Sequence, residues 1–182
     1  MILNAWLLGA GVVVTTCYSG ELHRFQDSQN HMGTRFILIF YAPDEELANQ
    51  GFEAAFSRIA ELDRTLSDYR HASELNRLSR LAPTPQPAEV SGDLWAVLET
   101  AQQLSRETEG AFDVTVGPLT KLWRRAIRRR KLPAPSRLHD AQAATGYTAL
   151  VLHPESRAVE LRKPNMRLDL GGIAKGYALD AA

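Results

Sequence analysis

Cysteine is nearly absent: Cys17 is the only one in 182 residues. That excludes an internal disulfide framework and any zinc site built from several thiolates, so the chemistry must use oxygen, nitrogen or a cofactor. A prevailing charge is lacking too, with 21 Lys and Arg against 21 Asp and Glu and a formal net charge of zero. No global field favours nucleic acid or an anionic membrane. The apolar run at residues 1–16 falls short of the roughly 18 residues of a spanning helix. Neither G-x-x-x-x-G-K-[ST] nor G-x-G-x-x-G occurs, nor H-E-x-x-H, nor G-x-S-x-G, and the five histidines are scattered. These absences exclude a Walker loop and disfavour a metalloprotease or esterase. What is present is 45% hydrophobic and 23% charged, ordinary usage for about one domain with its own core.

Residues 1–16 have the length of a secretory apolar region, and Val14-Thr15-Thr16-Cys17 is similar to a lipoprotein processing site. The expectation is a signal segment over residues 1–17, with Cys17 as lipid anchor where it is processed as a lipoprotein, placing the protein on the periplasmic face of the bacterial inner membrane. The departures are an amino-terminal end without Lys or Arg, and Thr16 where Gly, Ala or Ser is usual. A buried strand or a wrongly chosen start codon is the plainer alternative. Residues 18–30 read as a polar, aperiodic tether, with the domain starting near His31.

Residues 35–41, Arg-Phe-Ile-Leu-Ile-Phe-Tyr, predict a buried strand that ends at Pro43-Asp44. In residues 45–66, Phe52, Ala55, Phe56, Ile59, Leu62 and Leu66 recur at helical spacing and predict an apolar stripe packed on a sheet. Ser91 caps a second predicted helix running to about Glu107. Residues 149–153, 158–162 and 166–170 read as short strands of a small antiparallel set. Two long helices and strands without regular alternation predict an α+β body, a layered mixed sheet with amphipathic helices.

Three segments carry candidate chemistry. Residues 168–180 run from a strand through Gly171-Gly172 into a helix, an arrangement that suits an anion, with Lys175 available for phosphate charge. The alternative is a helix entry in which the glycines relieve crowding and Asp169 caps. In residues 110–119, an extended run would put Asp113 and Thr115 on one side, facing a ligand; a turn with Asp113 capping its start is the alternative. Tyr69, after the first helix, could stack a flat ring or sit half-buried at the helix end. Residues 121–131 hold seven basic side chains, a density that would suit a nucleic-acid or anionic-lipid patch but is read as a solvated helix face with Leu122 and Ile127 turned inward.

The pieces Met32-Gly33-Thr34, Leu62-Asp63 through Tyr69, Ser73-Glu74-Leu75 to Arg77, Gly110 to Leu119 with Trp123, and Asp169 to Asp180 resemble, in this order, the FAD:protein FMN transferases of the ApbE type. The resemblance spans residues 31–182 and implies the N-terminal part of such a domain, with the fold incomplete at its C-terminus. It implies FAD as substrate and Mg²⁺, with FMN passed to a threonine hydroxyl of an exported acceptor protein and AMP released. Met32, Tyr69, Ala111, Phe112, Asp113, Asp169 and Lys175 would contact the flavin nucleotide, and the Gly172 carbonyl would meet the metal. The catalytic residues are expected beyond Ala182. A non-catalytic exported FAD- or FMN-binding protein is the rival reading.

Overall fold

A computed structural model describes residues 20–182. The expected signal segment and Cys17 lie outside the described residues. The chain opens with β1 (His23–His31) and β2 (Thr34–Ala42), an antiparallel hairpin in which His31 faces Thr34 and His23 faces Ala42. The tether expected over 18–30 is therefore corrected: from His23 onward it is strand. The sequence hid this because β1 buries no side chain fully; only Phe25, Ser28 and His31 are half-covered, and main-chain pairing to β2 needs no apolar alternation. The expected buried strand is β2, and it is buried on one face only. Phe36, Leu38 and Phe40 turn inward, while Ile37, Ile39 and Tyr41 are exposed, as the two-residue side-chain period requires.

Helix α1 (Glu45–Leu66) starts where the Asp44 carboxylate accepts the Leu47 N–H at 2.8 Å. Its predicted stripe is the buried one, and Ile59 and Leu62 are wholly enclosed. Each such side chain contributes about 1.5–3 kcal/mol by burial. α1 packs on the hairpin and also on α2 (Glu74–Arg80), α3 (Gly92–Glu107) and α6 (Ala174–Asp180). Ser91 caps α3 by accepting the Leu94 N–H, as predicted.

A second sheet orders β3 (Ala88–Glu89), β5 (Ala158–Leu161) and β4 (Leu150–His153), all antiparallel. The strand expected at 166–170 does not join it. Arg167 makes a lone parallel bridge to Val116, and the Asp169 N–H donates to the Val114 carbonyl at 2.8 Å. Helices α4 (Gly117–Arg129) and α5 (Pro135–Ala143) pack chiefly on each other. The architecture is α+β, with the β1–β2 hairpin packed on α1 and a second, three-stranded antiparallel sheet.

One network ties three helices together. Arg58 of α1 grips Asp93 of α3 with two nitrogens, at 2.6 and 3.0 Å, and the Tyr177 hydroxyl of α6 donates to Asp93 at 2.8 Å. The Arg58 hydrogen bond holds the Asp93 carboxyl below its usual range, against the opposing effect of burial. Burial first, then the Asp93 bond, pushes the Tyr177 phenol up.

Candidate functional site

Four chain segments converge on a cleft of about 710 Å³. The first is the β1–β2 turn. Met32 and Gly33 both have positive φ, 50° and 72°, the conformation of the two-residue turn whose twist matches paired strands, and it brings Met32 to the cleft wall.

The second segment follows α1. The buried Asn76 amide donates to the carbonyls of Ser67, Asp68 and Arg70 at 2.9–3.3 Å. The Asp63 carboxylate, also buried, accepts Arg70 Nε at 2.6 Å. This pinned loop holds Tyr69 outward, 68% exposed.

The third segment is residues 111–116. The run is a turn, not extended: Asp113 Oδ1 accepts both the N–H and the hydroxyl of Thr115, each at 2.7 Å. Thr115 is fully buried and its hydroxyl accepts the Gly146 N–H, so it does not face a ligand beside Asp113. Among the described residues Asp113 keeps its second oxygen free of protein partners.

The fourth segment lies alongside. Gly117 lets the two backbones touch, because a Cβ there would stand 2.6 Å from the Arg167 carbonyl oxygen. Asp169 Oδ1 accepts the Gly171 N–H at 2.9 Å, and Gly172 packs so closely on Phe112 that a Cβ would meet its ring at 3.2 Å. Lys175 Nζ donates to the Gly171 carbonyl at 2.7 Å. The helix begins at Ala174, past the glycine pair, and has only seven residues; the anion-binding entry expected at Gly171-Gly172 is replaced by a turn.

Met32, Tyr69, Ala111, Phe112, Asp113, Asp169, Gly172 and Lys175 all line this one cleft. Sequence reasoning missed one residue that lines it, Arg124. Arg124 donates to Asp68 and, at 2.9 Å, to Asp169, while its guanidinium lies 4.4 Å from the Tyr69 ring centre. Burial opposes its charge, but the Asp68 and Asp169 carboxylates raise its pKa above the ordinary value. Arg124 and Thr120, both lining the cleft, stand one helical turn apart on α4. That spacing was the available signal, lost among the neighbouring arginines. Ile127, expected inward, is 74% exposed, and the buried position of that turn is Ala126.

The donors for a hard cation are few. Both Asp169 oxygens are engaged, and among the described residues no three His, Cys, Asp or Glu side chains come together. These residues alone do not make a Mg²⁺ site.

A model of the ApbE family matches residues 32–182. The chain belongs to the ApbE family. It is 36% identical over 126 residues to the FAD:protein FMN transferase of Haemophilus influenzae, covering 67% of this chain and 36% of that one. With the enzyme of that name from Vibrio cholerae it shares 34% over 152 residues, 82% and 45% of the two chains. The solved flavin transferase ApbE of Vibrio cholerae superposes with a TM-score of 0.75 at 27% identity, over 87% of this chain and 52% of that one. The ApbE protein of Thermotoga maritima gives 0.74 at 26%, over 87% and 50%. The chain thus spans about half or less of the length of these ApbE relatives, and its α+β fold is that of ApbE flavin transferases.

Proposed function

We propose that this chain forms the flavin-nucleotide-binding part of an FAD:protein FMN transferase, with FAD in the cleft as substrate. The observation that carries the reading is the convergence, from four separated segments, of the residues that the family resemblance assigns to the nucleotide. Asp113 offers a free carboxylate oxygen to N–H or O–H groups of the ligand. Lys175 supplies positive charge where a pyrophosphate would lie, while Arg124, paired with Asp68 and Asp169, backs one face of Tyr69 and leaves the 68% exposed ring to meet a flat ring.

In the proposed reaction the threonine oxygen of an acceptor protein attacks the FMN phosphorus. The bond from that phosphorus to the bridging oxygen breaks, AMP leaves with that oxygen, and the hydroxyl proton passes to a base. No residue of this chain is assigned as that base. Mg²⁺ belongs to this reading as the cation that would neutralise phosphate charge. The Gly172 carbonyl would be one ligand among others that the described residues do not supply, and no step here is derived through it. The proposal includes export by a signal segment over residues 1–17 and a lipid anchor at Cys17, which rest on the sequence pattern alone, and an exported acceptor, which rests on the family resemblance.

The test is a titration of the chain with FAD followed by flavin fluorescence, with parallel incubation with a threonine-containing acceptor protein and mass analysis. Saturable FAD binding is expected of this chain, and a covalent FMN adduct on threonine is expected once the base and the further Mg²⁺ ligands that the described residues do not supply are present with it. Failure to bind FAD would overturn the reading. Flavin that survives gel filtration and does not pass to the acceptor even with those groups supplied would favour the carrier instead.

A further inference from the structure

Zero net charge conceals a separation of charges. Between Asp113 and Asp140 the chain has eight Lys and Arg and no acid. Most of this stretch lies in the α4–α5 hairpin, whose one acid is Asp140 in α5 and which packs chiefly on itself rather than on the α1 core. At its tip Arg128, Arg129, Arg130 and Lys131 are all exposed, and among the described residues none of the four is in an ion pair.

Large apolar side chains stand among these cations. Ile127 and Leu132 bracket them at 74% and 77% exposure, and Trp123, one turn before Ile127, is 43% exposed. α4 closes on Arg130 in the left-handed conformation, φ 49°, a position where glycine is usual. A run of cations with an exposed apolar side chain at each end, and an aromatic one turn before the first of them, suits the boundary between lipid phosphates and acyl chains. A nucleic-acid backbone would satisfy the cations and leave Ile127 and Leu132 in water.

We propose that the tip of the α4–α5 hairpin docks on an anionic bilayer, with Ile127 and Leu132 entering the headgroup–acyl boundary and residues 128–131 on lipid phosphates. This does not depend on the flavin reading. It corrects the inference from net charge, since the local field at the tip is cationic while the whole chain is neutral.

Flotation of the full chain with vesicles of phosphatidylcholine, with and without phosphatidylglycerol, tests it. The expected result is tighter binding to the anionic vesicles that weakens with salt. The double variant Arg129→Glu, Lys131→Glu should lose on the order of ten-fold or more of that affinity. Ile127→Ser with Leu132→Ser should weaken binding and leave its salt dependence. Binding through residues 1–16 would be equal across variants and lipids, so the differences report the tip alone. Thermal melts should coincide, as all four side chains are exposed. Equal flotation of wild type and Arg129→Glu, Lys131→Glu on anionic vesicles would overturn the proposal. So would displacement from vesicles by a random DNA duplex whose binding ignores Ile127→Ser and Leu132→Ser, or a change of oligomeric state in these variants without lipid.

Discussion

The two sides of α4 handle the same side chain in opposite ways. On the cleft side, Arg124 is held between Asp68 and Asp169 and covers Tyr69; at the far end, four consecutive cations have no acidic partner among the described residues. A count of arginines treats these as one basic run. What separates them is whether a carboxylate from elsewhere in the chain arrives beside them, and that follows from the fold.

Breaking the paired side should have the largest effect. Arg124→Ala would leave Asp68 and Asp169, both largely buried, without their cation. We expect a loss of about 2–3 kcal/mol in a denaturant titration, below the range for fully buried pairs because Arg124 is about a third exposed. Next comes Lys175→Ala, which should weaken FAD binding by about 1.5–3 kcal/mol, the worth of a charge-assisted hydrogen bond, with the melting temperature nearly unchanged. Unchanged affinity would remove Lys175 from the phosphate site.

A second paired cation sharpens the comparison through pH. Asp93 has its pKa lowered by Arg58, so in the acid range the unfolded chain binds the proton first. The stability from this pair is full above the ordinary carboxylate value of about 4 and drains as pH falls through the lowered one. Asp93→Asn should cost about 1–2 kcal/mol at neutral pH and flatten the acid limb of a stability–pH curve. A limb of unchanged slope would show that other carboxylates govern acid unfolding.

Smaller still is Tyr69→Ala, worth about 0.5–1 kcal/mol for the lost cation–π contact, with FAD affinity reduced too. Tyr69→Phe should keep both; equal losses would assign the contribution to the hydroxyl. At the unpaired end, Arg129→Gln should change stability by less than about 0.5 kcal/mol. A larger change would mean that the outer cations have partners after all.

Elements whose apolar residues repeat on one period were legible from the sequence. α1 and α3 lie where their stripes and the Asp44 and Ser91 caps put them. β1 was not, because its ladder is made of main-chain groups and its side chains are mostly in water. At the site, the family resemblance brought out the residues lining the cleft, but not their partners. Arg124 and Asp68 are 56 positions apart, and nothing local to either marks the other. Thr115 misled for a different reason: an aspartate two residues earlier can fold the chain back onto its own N–H, and that turn replaced the extended run.

The Asn76 clamp on residues 67–70 has a consequence in the timing of entropy. A free loop that closes on a ligand surrenders about 1–2 kcal/mol of backbone freedom per residue at the moment of binding. Here three carbonyls of the loop are already tied to one amide, so that ordering is complete when the chain folds. Whatever stacks on Tyr69 meets a backbone already in place, and little of the contact free energy is spent on arranging it.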